Sequence, residues 1–446
     1  MRASSLLALL CSGILGCGCA ARPPNILLLV VDSLRSDHLG FAGYRRGTSP
    51  TLDSLAARGV AFSSCTAQAP WTEPSVASLI TGRYPSAGFH RAFTTIRGRG
   101  DRVPAVALGK GIMALPRMLS SQGYVSAGFS ASGMVNHQIL GLQAEFDHFD
   151  ASVQCTRDDC AALINTRVLE WLSAEPRDRW FCYVHYMDVH HPYEAPEDYA
   201  ARFRRGSTEL PRTDHLWMKR VREEGLTSEQ LTHLVDMYDA EIAYLDDQIG
   251  LLLGELARTG MRKDLLVVVA SDHGDELYEH GGVSHGHTLY EELTRCPLVF
   301  AWPNRVPARG VVECRVANVD IVPTVLDLVG VDPPEGLSGA TLIPYFTGEC
   351  RERPAYSEMK GNAVRKGRWK LWEQPRSPSR LFDLEADPTE QTNLAEVEPD
   401  TLRSLQLLLT AWHRGLVPPP KRPPPGAAPT LDSATVDMMR TLGYIE

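Results

Sequence analysis

Three short apolar runs, each ending in aspartate, constrain this chain more than any other feature. They are Asn25-Ile26-Leu27-Leu28-Leu29-Val30-Val31-Asp32, Trp180-Phe181-Cys182-Tyr183-Val184-His185-Tyr186-Met187-Asp188 and Leu265-Leu266-Val267-Val268-Val269-Ala270-Ser271-Asp272. Unbroken runs of this length read as strands buried on both faces, the pattern of a parallel sheet covered by helices. Open α/β sheets bind ligands outside the carboxyl ends of their strands. The three aspartates are therefore expected on one rim.

Helical patterns alternate with these strands. Ser49-Pro50-Thr51 caps a periodic stretch that ends at Gly59, Glu229 to Glu255 reads as a long amphipathic helix, and Asp320 to Leu328 as another. The alternation predicts an α/β fold, a doubly wound and mostly parallel sheet sandwiched by helices. After about residue 350 the texture changes. Asn362 to Trp372 and Arg380 to Leu384 read as short strands around turns, so a small C-terminal α+β subdomain is expected. The boundaries are set at 1–22 for an export signal, 23–349 for the catalytic domain, 350–417 for the C-terminal subdomain, and 418–446 for a proline-rich linker (Pro418 to Pro429) with a short terminal helix (Asp432 to Leu442).

With 446 residues, 43% of them hydrophobic and 22% charged, the chain can bury a large core. The net charge of −9, with no basic block in the body, excludes nucleic acid as a partner. At the N-terminus, Arg2 precedes an apolar stretch from Leu6 to Leu15 that is too short to span a bilayer, so it reads as a cleaved signal. Ile14-Leu15-Gly16-Cys17 resembles a bacterial lipobox; the other reading is a cut near Ala20-Ala21. The chain is expected to be exported, either periplasmic or held at the outer membrane by a lipid anchor. Ten cysteines occur without a CxxC, and Cys155 with Cys160 either closes a small disulfide or stays reduced.

Chemistry concentrates in three places. In Pro70-Trp71-Thr72-Glu73-Pro74-Ser75-Val76-Ala77-Ser78-Leu79-Ile80-Thr81-Gly82-Arg83, Pro74 suits the first position of a helix and Gly82 its end. Thr72 then lies just before a helix N-terminus, whose N–H groups favour a phosphoryl or sulfuryl anion. It is either a simple cap or a nucleophile whose hydroxyl a bound metal activates. In Ser271-Asp272-His273-Gly274-Asp275-Glu276, a carboxylate and an imidazole stand side by side at a strand end, as transition-metal ligands do. His280, His285 and His287 follow closely, a density that reads as a metal site rather than as loop histidines. Asp188-Val189-His190-His191-Pro192-Tyr193 falls on the same rim, and one of its histidines is placed to bind a second metal or to protonate a leaving group. His185 reads as structural.

The stretch from Thr72 to Arg83 is similar to the sulfatase signature, with Thr72 where that family carries the Cys or Ser that becomes formylglycine. Pro74, Ser75, Ala77, Leu79, Thr81, Gly82 and Arg83 match. Asn25 to Asp32 with Arg35, Asp37, His38, Gly40 and Tyr44 resembles the family's opening. Asp272-His273-Gly274 resembles its second metal motif, and His190 with Pro192 its His-x-Pro element. Tyr290-Glu291-Glu292 with Arg295 and Pro297, and Leu381-Phe382-Asp383-Leu384 with Asp387-Pro388 and Asn393-Leu394, resemble later landmarks, so the likeness spans residues 25 to 395. The resemblance implies an alkaline phosphatase-like fold and a metal-dependent ester hydrolase.

Four departures point away from a sulfatase of the usual kind. A threonine cannot be oxidised to formylglycine, the Arg after the nucleophile is Val76, the second Asp of the opening pair is Ser33, and no Lys stands near residue 286. They point toward relatives that use threonine directly, among them phosphodiesterases, phosphonate ester hydrolases and phospho-group transferases. By that resemblance Asp32, Thr72, Asp272 and His273 hold one metal. His285 helps hold a second ion or the phosphate, and His190 and His285 join Thr72 as catalytic residues. The His273 nitrogen favours Zn²⁺ or Mn²⁺ over Ca²⁺. Three readings stand: a hydrolase of phosphate mono- or diesters, a sulfuric ester hydrolase or transferase on the same site, and a non-catalytic surface binding protein. The substrate is expected to be a small molecule or a glycan or lipid ester. Oligomeric state has no signature in the sequence.

Overall fold

A computed structural model describes residues 23–96, 102–135, 140–153, 159–174, 178–206, 213, 215–417 and 430–431. The export signal, Cys155, the proline-rich linker and the terminal helix lie outside the described residues. The three apolar runs form β1 (Asn25–Val31), β5 (Trp180–Tyr186) and β6 (Leu265–Ser271). They are joined by β2 (Val60–Thr66), β3 (Val125–Ser130), β4 (His148–Asp150), β7 (Arg295–Ala301), β8 (Gly310–Val311) and β9 (Val316–Ala317). The sheet order is β8-β2-β7-β6-β1-β5-β3-β4, with β9 also on β2. β1 lies at the centre between β6 and β5, parallel to both, with Leu28 opposite Val268 and Tyr183. Only β7 runs against its neighbours β2 and β6.

Both faces of this sheet are covered, which is why its central strands need no polar alternation. One face, carrying Leu27, Leu29 and Val31, packs under the long helix α4 and its neighbours; the other, carrying Ile26, Leu28 and Val30, packs under α2 and α5. The helices are α1 (Pro50–Ala57), α2 (Thr72–Thr81), α3 (Cys160–Ala174), α4 (Ser228–Arg258), α5 (Ile321–Leu328) and α6 (Pro399–Gly415). α4 starts with a capping box between Thr227 and Gln230. The N-terminus of α1 is not capped by Ser49; Asp246 of α4 accepts from the N–H groups of Thr51 and Leu52 instead.

One rim aspartate goes elsewhere. Asp188 accepts the Ala161 N–H at 2.9 Å and so caps α3, and burial pushes its carboxyl up to about 7. The rim thus gathers two strand-end aspartates, Asp32 and Asp272. Cys160 is disulfide-bonded, and a second bridge, Cys314–Cys350, links segments with no spacing pattern to announce it.

The C-terminal part is a four-stranded antiparallel sheet, β10 (Ala355–Glu358), β11 (Asn362–Lys366), β12 (Trp369–Glu373) and β13 (Arg380–Asp383), with α6 against it. Lys370 of β12 ties this sheet to the main body. It is buried, and its Nζ lies 3.0 Å from both Glu291 and Glu390. Lys370→Met removes the cation shared by Glu291 and Glu390, leaving Arg365, 4.0 Å from Glu291, as the remaining partner. The variant is expected to lose about 3–5 kcal/mol of stability, read as a lower urea midpoint; a midpoint equal to wild type would show the pair to be solvated.

Candidate active site

Thr72 is the first residue of α2, following the extended Trp71, so the helix starts two residues earlier than Pro74 alone suggests. Gly82 ends α2 at φ 68°, the left-handed conformation open to glycine. The rest of the signature is scaffolding. Ser75 Oγ donates to the Asp272 carbonyl at 2.5 Å, Thr81 Oγ1 to Ala77 O, and Arg83 to Glu335 O. The first of these fixes α2 against the end of β6, the second lies within the helix, and the third ties its C-terminal side to Glu335.

Thr72 Oγ1 lies 3.3 Å from Asp32 Oδ2 and 3.3 Å from His273 Nε2. His273 Nε2 is in turn 3.5 Å from Asp32 Oδ1 and 3.4 Å from Asp272 Oδ2. All four residues are fully buried. Side chains from residues 32, 72, 272 and 273 therefore meet at one point beyond the ends of β1 and β6.

The donor set fits a divalent cation on three counts. Asp272 Oδ1 accepts from the N–H groups of Ser33 and His273, whereas Oδ2 is buried with no hydrogen-bond partner. A buried carboxylate oxygen without a donor, next to a second carboxylate and an imidazole, is a place that an ion can complete. His273 Nδ1 lies 2.9 Å from the Gly274 carbonyl and so carries the proton, which leaves Nε2 as a lone pair directed at the cluster. Two buried carboxylates also need neutralising charge. Burial pushes the Asp272 carboxyl well up, with the Asp32 charge adding to it. Burial acts on Asp32 in the same way, but the hydrogen bond from His185 and the neighbouring histidines reverse it and hold that carboxyl below the usual range.

Backbone geometry enforces the convergence. Ser33 takes φ 60°, a left-handed turn at the end of β1, and its hydroxyl donates to Asp32 Oδ1 at 3.2 Å. Gly274 packs so closely that a Cβ there would sit 2.0 Å from the Glu292 carbonyl, so no other residue fits after His273. Val76 points into the apolar core with Ile26 and Leu28, not into the site.

A second group stands beside the first. Ring nitrogens of His190, His191 and His285 come within 4.8 Å of one another. The His285 ring centroid is 4.4 Å from that of His273 and 4.9 Å from that of His190. His285 Nδ1 bonds Asp275 Oδ1 at 2.7 Å, and the Tyr193 hydroxyl donates to Asp275 Oδ2 at 2.5 Å. Burial would raise Asp275, yet the adjacent His285 and His191 hold it well below the usual range. Burial, with the neighbouring imidazoles, lowers both His190 and His285 and so favours their neutral forms.

The structure therefore brings Asp32, Thr72, Asp272 and His273 to one point and sets His190 and His285 next to it. His280 and His287 are not brought in. They pair with Glu292 and Glu276, both at close range. The opening-loop residues Arg35, Asp37, His38 and Tyr44 are struts, with His38 and Tyr44 both on Asp239. Asp275 escapes the sequence reading, His191 is one of two histidines that reading leaves open, and His185, read as structural, has its Nε2 3.1 Å from Asp32 Oδ2. Strand alternation offers a signal for the last, since Tyr183 and His185 share one face of β5.

Comparison with known proteins agrees with this architecture. A family model described as Sulfatase matches residues 24–331, and one described as N-sulphoglucosamine sulphohydrolase, C-terminal, matches residues 279–410. The chain is 28% identical to choline-sulfatase of Rhizobium meliloti, covering 84% of this chain and 82% of that protein. It is 26% identical to human arylsulfatase A, covering 91% and 90%. In fold it is similar to a sulfatase structure from Bacteroides thetaiotaomicron (TM-score 0.72, 22% identity, 88% of this chain and 92% of that one). It is also similar to the phosphonate monoester hydrolase of Agrobacterium radiobacter (TM-score 0.71, 21% identity, 88% and 96%). Fold and site together define an ester hydrolase on an alkaline phosphatase-like scaffold. Within that class, the chain belongs to the sulfatase family.

Proposed function

We propose that this hydrolase cleaves phosphate mono- or diesters, or related esters, with Thr72 as the nucleophile. The observation that carries the reading is the position of Thr72 Oγ1, 3.3 Å from both Asp32 Oδ2 and His273 Nε2 at the start of α2. Asp32, Thr72, Asp272 and His273 would hold a divalent ion, Zn²⁺ or Mn²⁺ by the nitrogen donor. When bound, that ion lowers the pKa of the hydroxyl and offsets the charge of the substrate oxygens.

The remaining steps belong to the protein's own groups. The Thr72 hydroxyl donates toward Asp32 Oδ2, so its proton has an acceptor. Oγ1 attacks phosphorus in line, the new O–P bond forms, and the bond to the leaving oxygen breaks with its electron pair. N–H groups of the first turn of α2 face the anion. A bound anion raises the pKa of nearby imidazoles, so His190 or His285 takes up a proton with the substrate and gives it to the leaving oxygen. The same imidazole, now neutral, accepts a proton from the water that attacks phosphorus; the P–Oγ1 bond breaks with its electron pair, and Oγ1 takes its proton back from Asp32. A second ion held by His190, His191 and His285 is the alternative use of these rings, because an imidazole nitrogen that ligates a cation cannot carry the proton.

Sulfate ester hydrolysis is the second reading, favoured by the names of relatives such as choline-sulfatase and N-acetylglucosamine-6-O-sulfatase. A panel of nitrophenyl phosphate, bis(nitrophenyl) phosphate, phenylphosphonate and sulfate esters, run on metal-stripped protein with Zn²⁺ or Mn²⁺ restored, separates the two. Phosphorus esters are expected to turn over faster by on the order of a hundredfold, a difference of about 2.7 kcal/mol in barrier. Faster sulfate hydrolysis would reverse the assignment, and no turnover with either ion would favour a binding role. We also propose export with a lipid on Cys17. Cys17→Ser is expected to move the protein from the membrane fraction to the soluble one, and an unchanged distribution would count against the anchor.

A further inference from the structure

His185 touches the candidate metal cluster in a way that admits two roles. Its Nε2 lies close enough to Asp32 and Asp272 to be a ligand itself, or it serves Asp32 from behind. Counting protons decides between them. His185 Nδ1 lies 2.7 Å from the Tyr183 hydroxyl and Nε2 lies 3.1 Å from Asp32 Oδ2, with all three side chains fully buried. A carboxylate offers only lone pairs, and a tyrosine hydroxyl has one proton to give. If Nε2 carries the ring proton, it donates to Asp32, and Nδ1 accepts from Tyr183; every donor and acceptor is matched. If Nδ1 carries it, the Nε2 lone pair faces a carboxylate lone pair, and the Tyr183 proton has no acceptor among the bonds this hydroxyl makes. An unmatched buried group costs about 1–3 kcal/mol.

We propose that His185 is a positioning residue in a Tyr183–His185–Asp32 relay, donating Nε2–H to Asp32 and not ligating the ion. The proposal rests on the metal-site reading above and deepens it. The strand builds the relay: Tyr183 and His185 alternate onto one face of β5, and β5 lies parallel to β1, with His185 opposite Val30, two residues before Asp32. The oxygen His185 holds, Oδ2, is the one that Thr72 Oγ1 faces. Ser33 Oγ holds the other oxygen. With His185 on Oδ2 and Ser33 on Oδ1 the carboxylate plane is fixed, and Oδ2 is held where it also accepts from Thr72 while Oδ1 stays 3.5 Å from His273 Nε2. Outer partners of this kind are worth about 10–100-fold in metal affinity.

The test is Mn²⁺ binding to metal-stripped wild type, His185→Leu, His185→Gln and Tyr183→Phe, with dissociation constants read from the free Mn²⁺ resonance. Electron spin-echo modulation counts the imidazole nitrogens coupled to the ion. His185→Leu is expected to weaken Mn²⁺ about 10–100-fold with the nitrogen count unchanged. His185→Gln, which keeps an N–H donor, is expected to restore most of the affinity. Tyr183→Phe deletes one oxygen and serves if the leucine variant fails to fold; it is expected to weaken Mn²⁺ less, in the same direction. Loss of a coupled nitrogen in His185→Gln would make His185 a ligand and overturn the proposal, as would wild-type affinity in His185→Leu. A wild type that binds no Mn²⁺ or Zn²⁺ would instead remove the metal-site reading itself, a separate result.

Discussion

Replacing Thr72 by alanine is expected to lower kcat by on the order of 10⁴–10⁶-fold, the range seen when a nucleophile is deleted from a working site, while the fold persists. The reason is positional. The hydroxyl is buried at the start of α2, between a carboxylate oxygen and a lone-pair imidazole nitrogen, and no other hydroxyl among the described residues is shown within reach of both. The stability cost should stay small, because alanine suits a helix interior better than threonine and the lost hydrogen bond is worth about 1 kcal/mol. Thr72→Ser keeps the oxygen and is expected to retain measurable turnover, with a phosphoserine trapped by acid quench and seen as an added phosphoryl mass. Wild-type kcat in the alanine variant would remove Thr72 from the chemistry and leave water as the attacking group. An inactive alanine variant that also loses its melting transition would decide nothing about chemistry, so the serine variant must be measured beside it.

The sequence disclosed the parts of this molecule that are dictated locally. β1, β5 and β6 were legible because a strand buried on both faces has no polar alternation, and the chain shows three such runs. α2 was legible from Pro74 and Gly82, and α4 from its periodicity. What escaped was set by partners distant in the chain. β7 runs antiparallel, which nothing in Arg295–Ala301 announces. Asp188 resembles Asp32 and Asp272 in context, yet the start of α3 lies against it and takes its carboxylate as a cap. His185 was hidden because an imidazole inside an apolar run has no visible partner. Its partner is Asp32, 153 residues earlier. Asp275 was overlooked between two motif residues, although it orients His285 and binds Tyr193. The site thus reads in the sequence as a set of attacking and ligating atoms, and only in the structure as a set of supports.

Asp272→Asn is expected to separate stability from function, with opposite signs in the two. Asn keeps an oxygen to accept the Ser33 and His273 N–H groups that now bond Asp272 Oδ1. Its amide takes the place of Oδ2, the buried oxygen that has no donor. One negative charge disappears from beside Asp32, and an N–H replaces a lone pair in a cluster that already holds the Thr72 oxygen and the His273 lone pair. Without metal, the variant should therefore be more stable than wild type, by about 1–3 kcal/mol, measured by urea unfolding in chelator. With metal the order reverses. A cation loses a charged ligand, affinity should fall at least about a hundredfold, and the stabilisation that Zn²⁺ or Mn²⁺ gives wild type should shrink by about 2.7 kcal/mol for each hundredfold. Turnover should fall with it. The physical content is that a carboxylate left unpaired in the interior destabilises the empty site and is retained because an ion completes it. A metal-free variant less stable than wild type would mean that Asp272 supports the fold directly, and the case for a cation at these four residues would lose its strongest support.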